Sequence, residues 1–437
     1  MVAAIAAPGP SVVSIEWLRL SATGSFGPAK APVPGAQCES SFALERCRTR
    51  VQAAATAGTN DFRNANLFMS KGARFPSEAI VRTDSRTGRQ VRQVTNHPSI
   101  HHHPFFYVPA WDDQMRWLVF ISHRTGTAQI FVEERSTGML RQLTNRPDIH
   151  EWSLHPAHGG DYVYFTAGTS AWRVHIESLQ EELLADFGQV LMREQGMVGA
   201  AMGTTTVSHD DRWWAIPVKA GSISQFWVID LQNGERRLIL ERDTIGHPQF
   251  HPSDANLLHY AGPYYDRLWV IHRDGTGNRL VYQRDVAKKE WIVHEVWMPG
   301  TRELLAVNWP HGLIGVHSDT GIVRSVTSFN AWHAMVNREG SLMVADTTCP
   351  DIGLQLFDPR PGAGQPRPLC FPESSNAGVH WNTDHCPYDD GPVKVYAPQH
   401  THPHPNFSPD GSRVVFTSDR TGHAQVYEAL IGSDGAA

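Results

Sequence analysis

The fold is decided by a stretch that recurs: residues 109–145 read PAWDDQMRWLVFISHRTGTAQIFVEERSTGMLRQLTN, and residues 406–430 read NFSPDGSRVVFTSDRTGHAQVYEAL. Both stretches carry a polar turn, an apolar strand and the turn Ser-x-Arg-Thr-Gly. In both, Ala-Gln then leads into a strand with an aromatic residue. Short apolar strands separated by turn residues are typical of antiparallel sheets, and a recurring unit of this kind indicates a repeat fold.

Weaker copies of the pattern begin at Ser153, Thr206, His247, His294 and His333. Together with the two clear copies they make seven, at a spacing of about 40 to 50 residues, which is the range of propeller blades. No stretch among them has the periodicity of a long amphipathic helix. The sequence therefore predicts an all-β fold, a seven-bladed β-propeller.

The two ends of the repeat region predict how the ring closes. The last copy stops near Gly432, short of an outer strand, whereas residues 78–95 (EAIVRTDSRTGRQVRQVT) resemble the outer part of a blade with no blade before it. We expect the two ends to complete one terminal blade, because this closure leaves no long open sheet edge.

The domain organisation predicted from composition has two parts. Residues 1–70 are rich in Ala, Gly, Pro and Ser and are expected to form a poorly structured leader, and residues 71–437 are expected to form the propeller. The segment from Asp351 to Pro398 is rich in Pro, Gly and Asp and is expected to be an extended loop between the last two copies.

Charge and composition exclude several classes of partner. The 437 residues carry a formal net charge of -6, so the chain lacks the overall basic field of a nucleic-acid-binding protein. No apolar run approaches the roughly 18 residues of a membrane span. The 5 cysteines are sparse and lack metal-binding spacing, and the N-terminus has no basic region and is broken by Pro8 and Pro10. These features predict a cytoplasmic protein without nucleic-acid or membrane partners.

Much of the histidine content falls at the start of the copies. His150, His247, His294 and His333 occupy such positions, as does the run from Gln399 to His404, which reads QHTHPH. The first strand of a propeller blade lines the central channel, so residues at the starts of several blades converge at one end of it. We therefore expect these side chains to meet.

The QHTHPH run predicts a metal site. In an extended segment side chains alternate, so His402 and His404 point to the same side. His333 from the neighbouring copy adds a third imidazole, and Gln399 adds an amide oxygen. Three nitrogens and one neutral oxygen suit Mn, Fe, Co, Ni or Zn rather than Ca or Mg.

Other residues near the predicted channel have candidate roles. His294 is a candidate general base, and Arg267 is a candidate for contacting a carboxylate or, alternatively, for an ion pair between blades. His150 and His247 are candidates for substrate contact or for structural hydrogen bonding. The triplet at residues 101–103 is expected to be a solvated loop.

From about Lys71 to Gly432 the sequence resembles the oligogalacturonate lyases, seven-bladed propeller enzymes of bacterial pectin breakdown. The resemblance rests on the motifs KGARFPSE, TGRQVRQVTNHPSIHHH, SHRTGTAQIF, HEVW, WHAMVNREGSLMVAD and QHTHPHPNFSPDGSRVVFTSDRTG. The last three are the specific ones. The Ser-Asp-Arg-Thr-Gly turn alone also occurs in non-catalytic propellers of the TolB type.

The resemblance implies an activity and a site. It implies Mn²⁺ held by three histidines and one glutamine, a histidine base, a catalytic arginine and cleavage of short galacturonate-type oligosaccharides by β-elimination to 4,5-unsaturated uronates. The implied residues are His333, Gln399, His402 and His404 for the metal, His294 for the base and Arg267 for the arginine.

Two alternatives stay open at the level of sequence. The first is a non-catalytic TolB-like propeller that acts as a binding module, because the repeats alone permit it. The second is a lyase for a different uronic-acid glycan on the same scaffold, because the N-terminal leader and the loop from Ser374 to Gly391 depart from the family pattern.

Overall fold

Short antiparallel sheets make up almost the whole of the described chain. The structure is a computed structural model that describes residues 70–188, 203–376 and 398–432. In these ranges the strands form seven sheets, one for each predicted copy. The all-β, seven-bladed propeller prediction is confirmed. The leader predicted at residues 1–70 lies, apart from Ser70, outside the described residues.

The strands are numbered in chain order, and the blades are numbered 1 to 7 in the same direction. Those up to the end of blade 1 are β1 (Arg74–Phe75), β2 (Ile80–Thr83), β3 (Gln90–Gln93), β4 (His101–His102), β5 (Trp117–Ser122), β6 (Gln129–Glu134) and β7 (Leu140–Gln142). Blades 2 and 3 contain β8 (His155–Pro156), β9 (Tyr162–Ala167), β10 (Ser170–His175), β11 (Glu181–Asp186), β12 (Thr206–Val207), β13 (Trp213–Ala220), β14 (Ile223–Asp230) and β15 (Arg236–Arg242).

Blades 4 and 5 contain β16 (Gly246–His251), β17 (Asp254–Ala261), β18 (Leu268–His272), β19 (Arg279–Tyr282), β20 (Ile292–Trp297), β21 (Glu303–Asn308), β22 (Gly312–His317) and β23 (Val323–Thr327). Blades 6 and 7 contain β24 (Ala331–Val336), β25 (Met343–Thr347), β26 (Leu354–Phe357), β27 (Arg367–Cys370), β28 (Asn406–Phe407), β29 (Arg413–Ser418) and β30 (Gln425–Leu430). Short 3₁₀ helices lie at Val286–Lys288 and Gln399–Thr401.

The first strands of successive blades surround a common axis. Strand β12 contacts β16, β16 contacts β20, β20 contacts β24, and β24 contacts β28. Within each blade the later strands pair outward in antiparallel order. The starts of the blades therefore converge at the axis, as the sequence predicted.

The core lies between neighbouring blades. One apolar cluster joins Val119 and Ile121 of blade 1 to Val163 and Phe165 of blade 2, and all four side chains are fully buried. Because each inner strand is covered on both faces, β5 reads as a nearly continuous apolar run rather than a strict alternation. Burial of these side chains holds the blades together.

The ring closes through strands from both ends of the chain. Blade 7 consists of β28, β29 and β30, followed by β3 and then β2, with Val91 opposite Ala429 in the register. The predicted closure is confirmed. Arg92 of β3 pairs with two buried glutamates, Glu133 of blade 1 and Glu428 of blade 7. This ion-pair network ties the closing blade to its neighbour.

Two local predictions are wrong. The segment from Asp351 to Pro398 is not simply a loop, because it supplies β26 and β27, the outer strands of blade 6. These strands have only four residues each, and the Pro- and Gly-rich sequence around them hid them. The triplet at residues 101–103 is not solvated, since all three histidines are buried and the first two form β4.

No helix of the described ranges is both long and apolar enough to span a membrane.

Candidate functional site

Three histidines from two neighbouring blades meet at the axis. His333 lies on β24, and His402 and His404 lie just before β28. Their ligand nitrogens all lie within 4.8 Å of one another, and the ring centroids of His333 and His404 are 4.1 Å apart. Each of the three side chains is at most 1% exposed. The structure thus brings together the three imidazoles predicted from sequence.

Bulges in the first strands aim these side chains at the axis. The pairing register shifts in β16 around His247, in β20 around His294 and in β24 around His333. A bulge bends the strand and changes the direction of the side chain it carries. His247, His294 and His404 also adopt positive φ angles of 43°, 51° and 48°, a left-handed conformation that non-glycine residues seldom adopt.

A buried carboxylate orients His333. Nδ1 of His333 donates to Oδ2 of Asp346 at 2.8 Å, and the His333 N–H donates to Oδ1 at 2.6 Å. The backbone N–H of His404 also points to Oδ2, at 3.3 Å. Because Nδ1 carries the proton, Nε2 of His333 presents its lone pair, which is the arrangement found at metal-bound histidines.

The protonation states suit a metal. Burial, with the charges of neighbouring histidines, holds the pKa of His333 and of His404 well below the usual range, so both rings are neutral. Nε2 of His404 is buried without a hydrogen-bond partner among the described residues. A buried lone pair without a donor costs free energy, and a bound divalent cation would satisfy it. Burial raises the pKa of Asp346 to about 7, against the opposing effect of the His333 N–H.

The His-Pro-His segment is held in place through the carbonyl of Pro403. That carbonyl accepts a hydrogen bond from Nε2 of His103 at 3.1 Å and another from the N–H of Thr417 at 2.9 Å. The segment precedes β28 rather than forming part of a strand. Its two imidazoles nevertheless converge, with ring centroids 5.5 Å apart and an interplanar angle of 28°.

Gln399 begins the 3₁₀ helix that leads into this segment. The helix ends where the N–H of His402 donates to the Gln399 carbonyl at 3.0 Å, and the Gln399 residue is 9% exposed. Backbone bonding thus fixes Gln399 close to His402 in the chain. Its role as an amide-oxygen ligand remains a prediction.

His294 lies beside the cluster with one nitrogen committed. Its ring centroid is 4.2 Å from that of His333, and its Nδ1 donates to the carbonyl of Trp332 at 2.5 Å. A carbonyl only accepts, so the neutral ring must carry its lone pair on Nε2. Burial and the charges of His333 and His247 hold the pKa of His294 well below its usual range.

Arg267 forms an ion pair between blades. Its Nε donates to Oε1 of Glu295 at 2.6 Å, and both side chains are at most 2% exposed. Its terminal nitrogen lies 3.0 Å from Nδ1 of His247, which also lies 3.2 Å from Oε2 of Glu295. Burial opposes ionisation of Glu295, but Arg267 and His247 outweigh it and keep the pKa of Glu295 well below its usual range. The structure therefore shows the ion pair between blades that the sequence left open as the alternative role of Arg267.

His150, another histidine predicted at the start of a blade, is hydrogen-bonded within its own blade. Its Nδ1 lies 3.0 Å from the hydroxyl of Thr166, and its N–H donates to the carbonyl of the same residue at 3.0 Å. The structure thus shows hydrogen bonding within the fold for His150. Substrate contact by His150 and by His247 remains a prediction.

Aromatic side chains surround the cluster. Phe105 lies 4.9 Å and Trp152 lies 5.4 Å from the His404 ring, and Phe106 stacks on it at 6.4 Å with an angle of 16°. Phe105 and Phe106 are buried in the segment that follows β4. This apolar surrounding strengthens electrostatic interactions at the cluster.

Comparison with known proteins bears on this geometry. Residues 218–434 match the sequence profile of the oligogalacturonate lyase family. The chain is 25% identical over 392 residues to the oligogalacturonate lyase of Dickeya dadantii (strain 3937), covering 83% of this chain and 98% of the relative. Over most of its length the chain is similar to this oligogalacturonate lyase. It is also 24% identical over 394 residues to the oligogalacturonide lyase of Pectobacterium atrosepticum (strain SCRI 1043), with the same coverage of 83% and 98%. The family resemblance is confirmed, and these relatives are carbon–oxygen lyases.

Solved oligogalacturonate lyases share the fold. An oligogalacturonate lyase in complex with manganese superposes with a TM-score of 0.69 at 23% identity, covering 84% of this chain and 99% of the other. The oligogalacturonate lyase of Vibrio parahaemolyticus superposes with a TM-score of 0.67 at 20% identity, covering 84% and 100%.

Reasoning from the sequence missed residues that support the site. Asp346, Glu295 and His103 each bond to a predicted site residue or to the segment that carries one. Asp346 lies inside the WHAMVNREGSLMVAD motif and Glu295 inside HEVW, so the motifs contained them. The signal available in the sequence was an acidic residue in an otherwise apolar strand: Glu295 in β20 and Asp346 in β25.

Proposed function

We propose that the chain is a metal-dependent lyase that cleaves short galacturonate-type oligosaccharides by β-elimination, giving 4,5-unsaturated uronates. The observation that carries this proposal is the buried trio His333, His402 and His404, with a neutral His294 whose ring lies 4.2 Å from that of His333. Charge-stabilising ligands and a base at one point are what removal of a proton beside a carboxylate requires.

In this proposal His333, His402, His404 and Gln399 hold Mn²⁺ or another divalent transition metal. When bound, the metal supplies positive charge to the substrate carboxylate and so lowers the free energy of the charge that develops there. Asp346 keeps Nε2 of His333 directed at the metal position through the 2.8 Å bond to Nδ1.

His294 acts as the base. Its Nδ1 proton is held by the Trp332 carbonyl, so Nε2 receives the proton from C5 of the uronate. The electrons of the C5–H bond form the C4–C5 double bond, and the glycosidic oxygen leaves C4 with its electron pair. Burial favours the neutral form of His294, which is the form able to accept this proton.

Arg267 stabilises the negative charge that develops on the carboxylate. Its pairing with Glu295 fixes the guanidinium in the buried site, and a fixed donor needs no reorganisation during the reaction. His150 and His247 are proposed to contact the substrate. Because His294 and Arg267 are only 4% and 2% exposed, substrate binding has to open a path to them.

The test measures the ultraviolet absorbance of the conjugated product from digalacturonate, on metal-loaded and chelator-treated protein. His402→Ala should lose the metal held by this trio and lose activity, whereas His294→Ala should lose activity and keep that metal. Restoring divalent metal to the chelated wild type should restore the product. If His294→Ala loses the metal, the base assignment is wrong, and if metal-loaded wild type yields no product from any acidic oligosaccharide, the lyase proposal fails.

The two alternatives give different results in the same assay. Unsaturated product from another uronic-acid oligosaccharide but not from digalacturonate would assign a different glycan. Metal binding without product would favour a TolB-like binding module. A cytoplasmic location is part of the proposal, since the 5 cysteines of the sequence are sparse and neither Cys349 nor Cys370 forms a disulfide within the described residues.

A further inference from the structure

A second group of metal-ligating side chains lies apart from the first. His102 on β4, His123 just after β5 and Glu151 at the start of blade 2 bring their ligand atoms within 4.8 Å of one another. Nε2 of His102 lies 3.2 Å, and Nε2 of His123 lies 2.9 Å, from the same carboxylate oxygen, Oε2 of Glu151. None of these residues belongs to the trio described above.

The hydrogen bonding of His102 leaves a lone pair in this cluster. Its Nδ1 lies 3.0 Å from the carbonyl of His103, which can only accept, so Nδ1 carries the proton. With a single proton on the ring, the bare Nε2 faces Oε2 of Glu151, and two acceptors lie 3.2 Å apart. The His102 side chain is fully buried. A second proton on the ring, or a metal ion between the two atoms, would relieve this contact.

The cluster offers a mixed set of ligand atoms. It combines one carboxylate oxygen, Oε2 of Glu151, with the Nε2 atoms of two imidazoles. This donor set suits divalent first-row transition metals, whereas Ca²⁺ and Mg²⁺ prefer oxygen ligands throughout.

We infer that His102, His123 and Glu151 form a second binding site for a divalent transition metal ion. Ligand atoms about 2.0 to 2.2 Å from a metal lie roughly 2.8 to 3.6 Å from each other at octahedral or tetrahedral angles. The 3.2 Å separation of the His102 and Glu151 atoms and the 2.9 Å separation at His123 both fall in this range.

Neighbouring residues hold the site in shape. The His102 ring stacks on Trp152 with centroids 4.1 Å apart and an angle of 26°, which fixes the plane of the imidazole.

The second site joins two blades beside the first. His102 and His123 belong to blade 1, and Glu151 begins blade 2, so an ion held by all three cross-links the blades. Trp152 contacts His102 on one side and His404 of the trio on the other. The inference does not rest on the proposed lyase activity, because it concerns metal binding alone.

The experiment counts bound metal in the full chain after equilibrium dialysis, separately with Zn²⁺ and Mn²⁺, by elemental analysis. Wild type should hold two equivalents of at least one of these metals. Glu151→Gln and His402→Ala should each hold one equivalent, and the double variant should hold none. Glu177→Gln, an exposed glutamate of blade 2, is the matched control and should hold two.

Folding of each variant is checked through its unfolding midpoint in chelator. If Glu151→Gln fails to fold, His123→Ala takes its place, because that side chain is 24% exposed and truncation there disturbs little packing. Added metal should raise the midpoint of His402→Ala but not that of the double variant. If wild type holds one equivalent of metal and Glu151→Gln holds the same one equivalent, the inference is overturned and the cluster is assigned a shared proton. Loss of all metal in either single variant would equally overturn it, since only one site would then exist.

Discussion

Asp346 offers the sharpest test of how the first metal site is built. The carboxylate faces three donors: the His333 N–H at Oδ1, and His333 Nδ1 and the His404 N–H at Oδ2. Asp346→Asn keeps the shape but replaces one oxygen with an NH₂ group. If that group faces His333 Nδ1, the ring must accept there and carry its proton on Nε2, where a metal would bind.

The expected loss follows from this change of tautomer. Removing the partner that orients a metal-bound histidine typically costs about 10- to 100-fold in metal affinity, or about 1.4 to 2.7 kcal/mol. The metal-free fold should change by less, about 1 kcal/mol or under, because burial already raises the pKa of Asp346 to about 7 and the side chain is partly neutral. The variant therefore separates metal binding from folding.

The assay is equilibrium dialysis with Mn²⁺ in the Glu151→Gln background, which removes the inferred second site. Asp358→Asn, which alters an ion pair with Arg360 in the same blade, is the control and should keep the parental Kd. A Kd for Asp346→Asn within twofold of the control would refute the orienting role. So would a loss of metal that only parallels a loss of folded protein, measured by the urea midpoint.

Three further predictions concern the stability of the blades, and urea unfolding checks each. Gly312→Ala should lower the free energy of unfolding by about 3 kcal/mol or more, because Gly312 has a φ of +113° and a Cβ there would lie 2.1 Å from a carbonyl oxygen of β23. Gly300→Ala, where a Cβ would meet open space, should lower it by about 1 kcal/mol. Equal losses in the two variants would contradict this reasoning. Burial opposes ionisation of Asp211, but hydrogen bonds from His158 outweigh burial and hold the pKa of Asp211 below its usual range. The stability that the carboxylate adds is therefore present above about pH 4 and is lost as pH falls through the folded pKa. The difference between wild type and Asp211→Asn should therefore shrink from about pH 6 to pH 3, and a constant difference would argue against it. Arg92→Ala should cost about 2 to 3 kcal/mol because it removes a partner of the two buried glutamates at the ring closure, and a cost under about 0.5 kcal/mol would show that the network is dispensable.

Local sequence patterns determined the blades. Strand and turn signals are short-range, so the copies beginning at Pro109 and Asn406 predicted seven antiparallel sheets, and the incomplete ends predicted the shared closing blade. The same reasoning failed at the segment from Asp351 to Pro398. Strands of four residues among prolines and glycines carry too little pattern to be recognised alone.

The histidine cluster was partly accessible from sequence. The His402-Pro403-His404 spacing and the position of His333 at a blade start placed three imidazoles near the axis, and the structure brings them together. The strand argument behind that expectation was wrong in detail, because the segment precedes β28 and His404 adopts a φ of 48°. The convergence arises from bonds to the Pro403 carbonyl and from bulges, which period-two alternation does not describe.

By itself, then, the sequence determined the repeat, the ring closure, the family resemblance and the residues that could bind a metal, because these follow from local periodicity and motif. Only the tertiary structure decided which polar groups pair and which histidines are buried. It placed Asp346 behind His333, paired Arg267 with Glu295, and buried the triplet at 101–103 beside the axis. These two pairings join residues 13 and 28 positions apart, beyond the range of local periodicity, and burial and bulge geometry fix them.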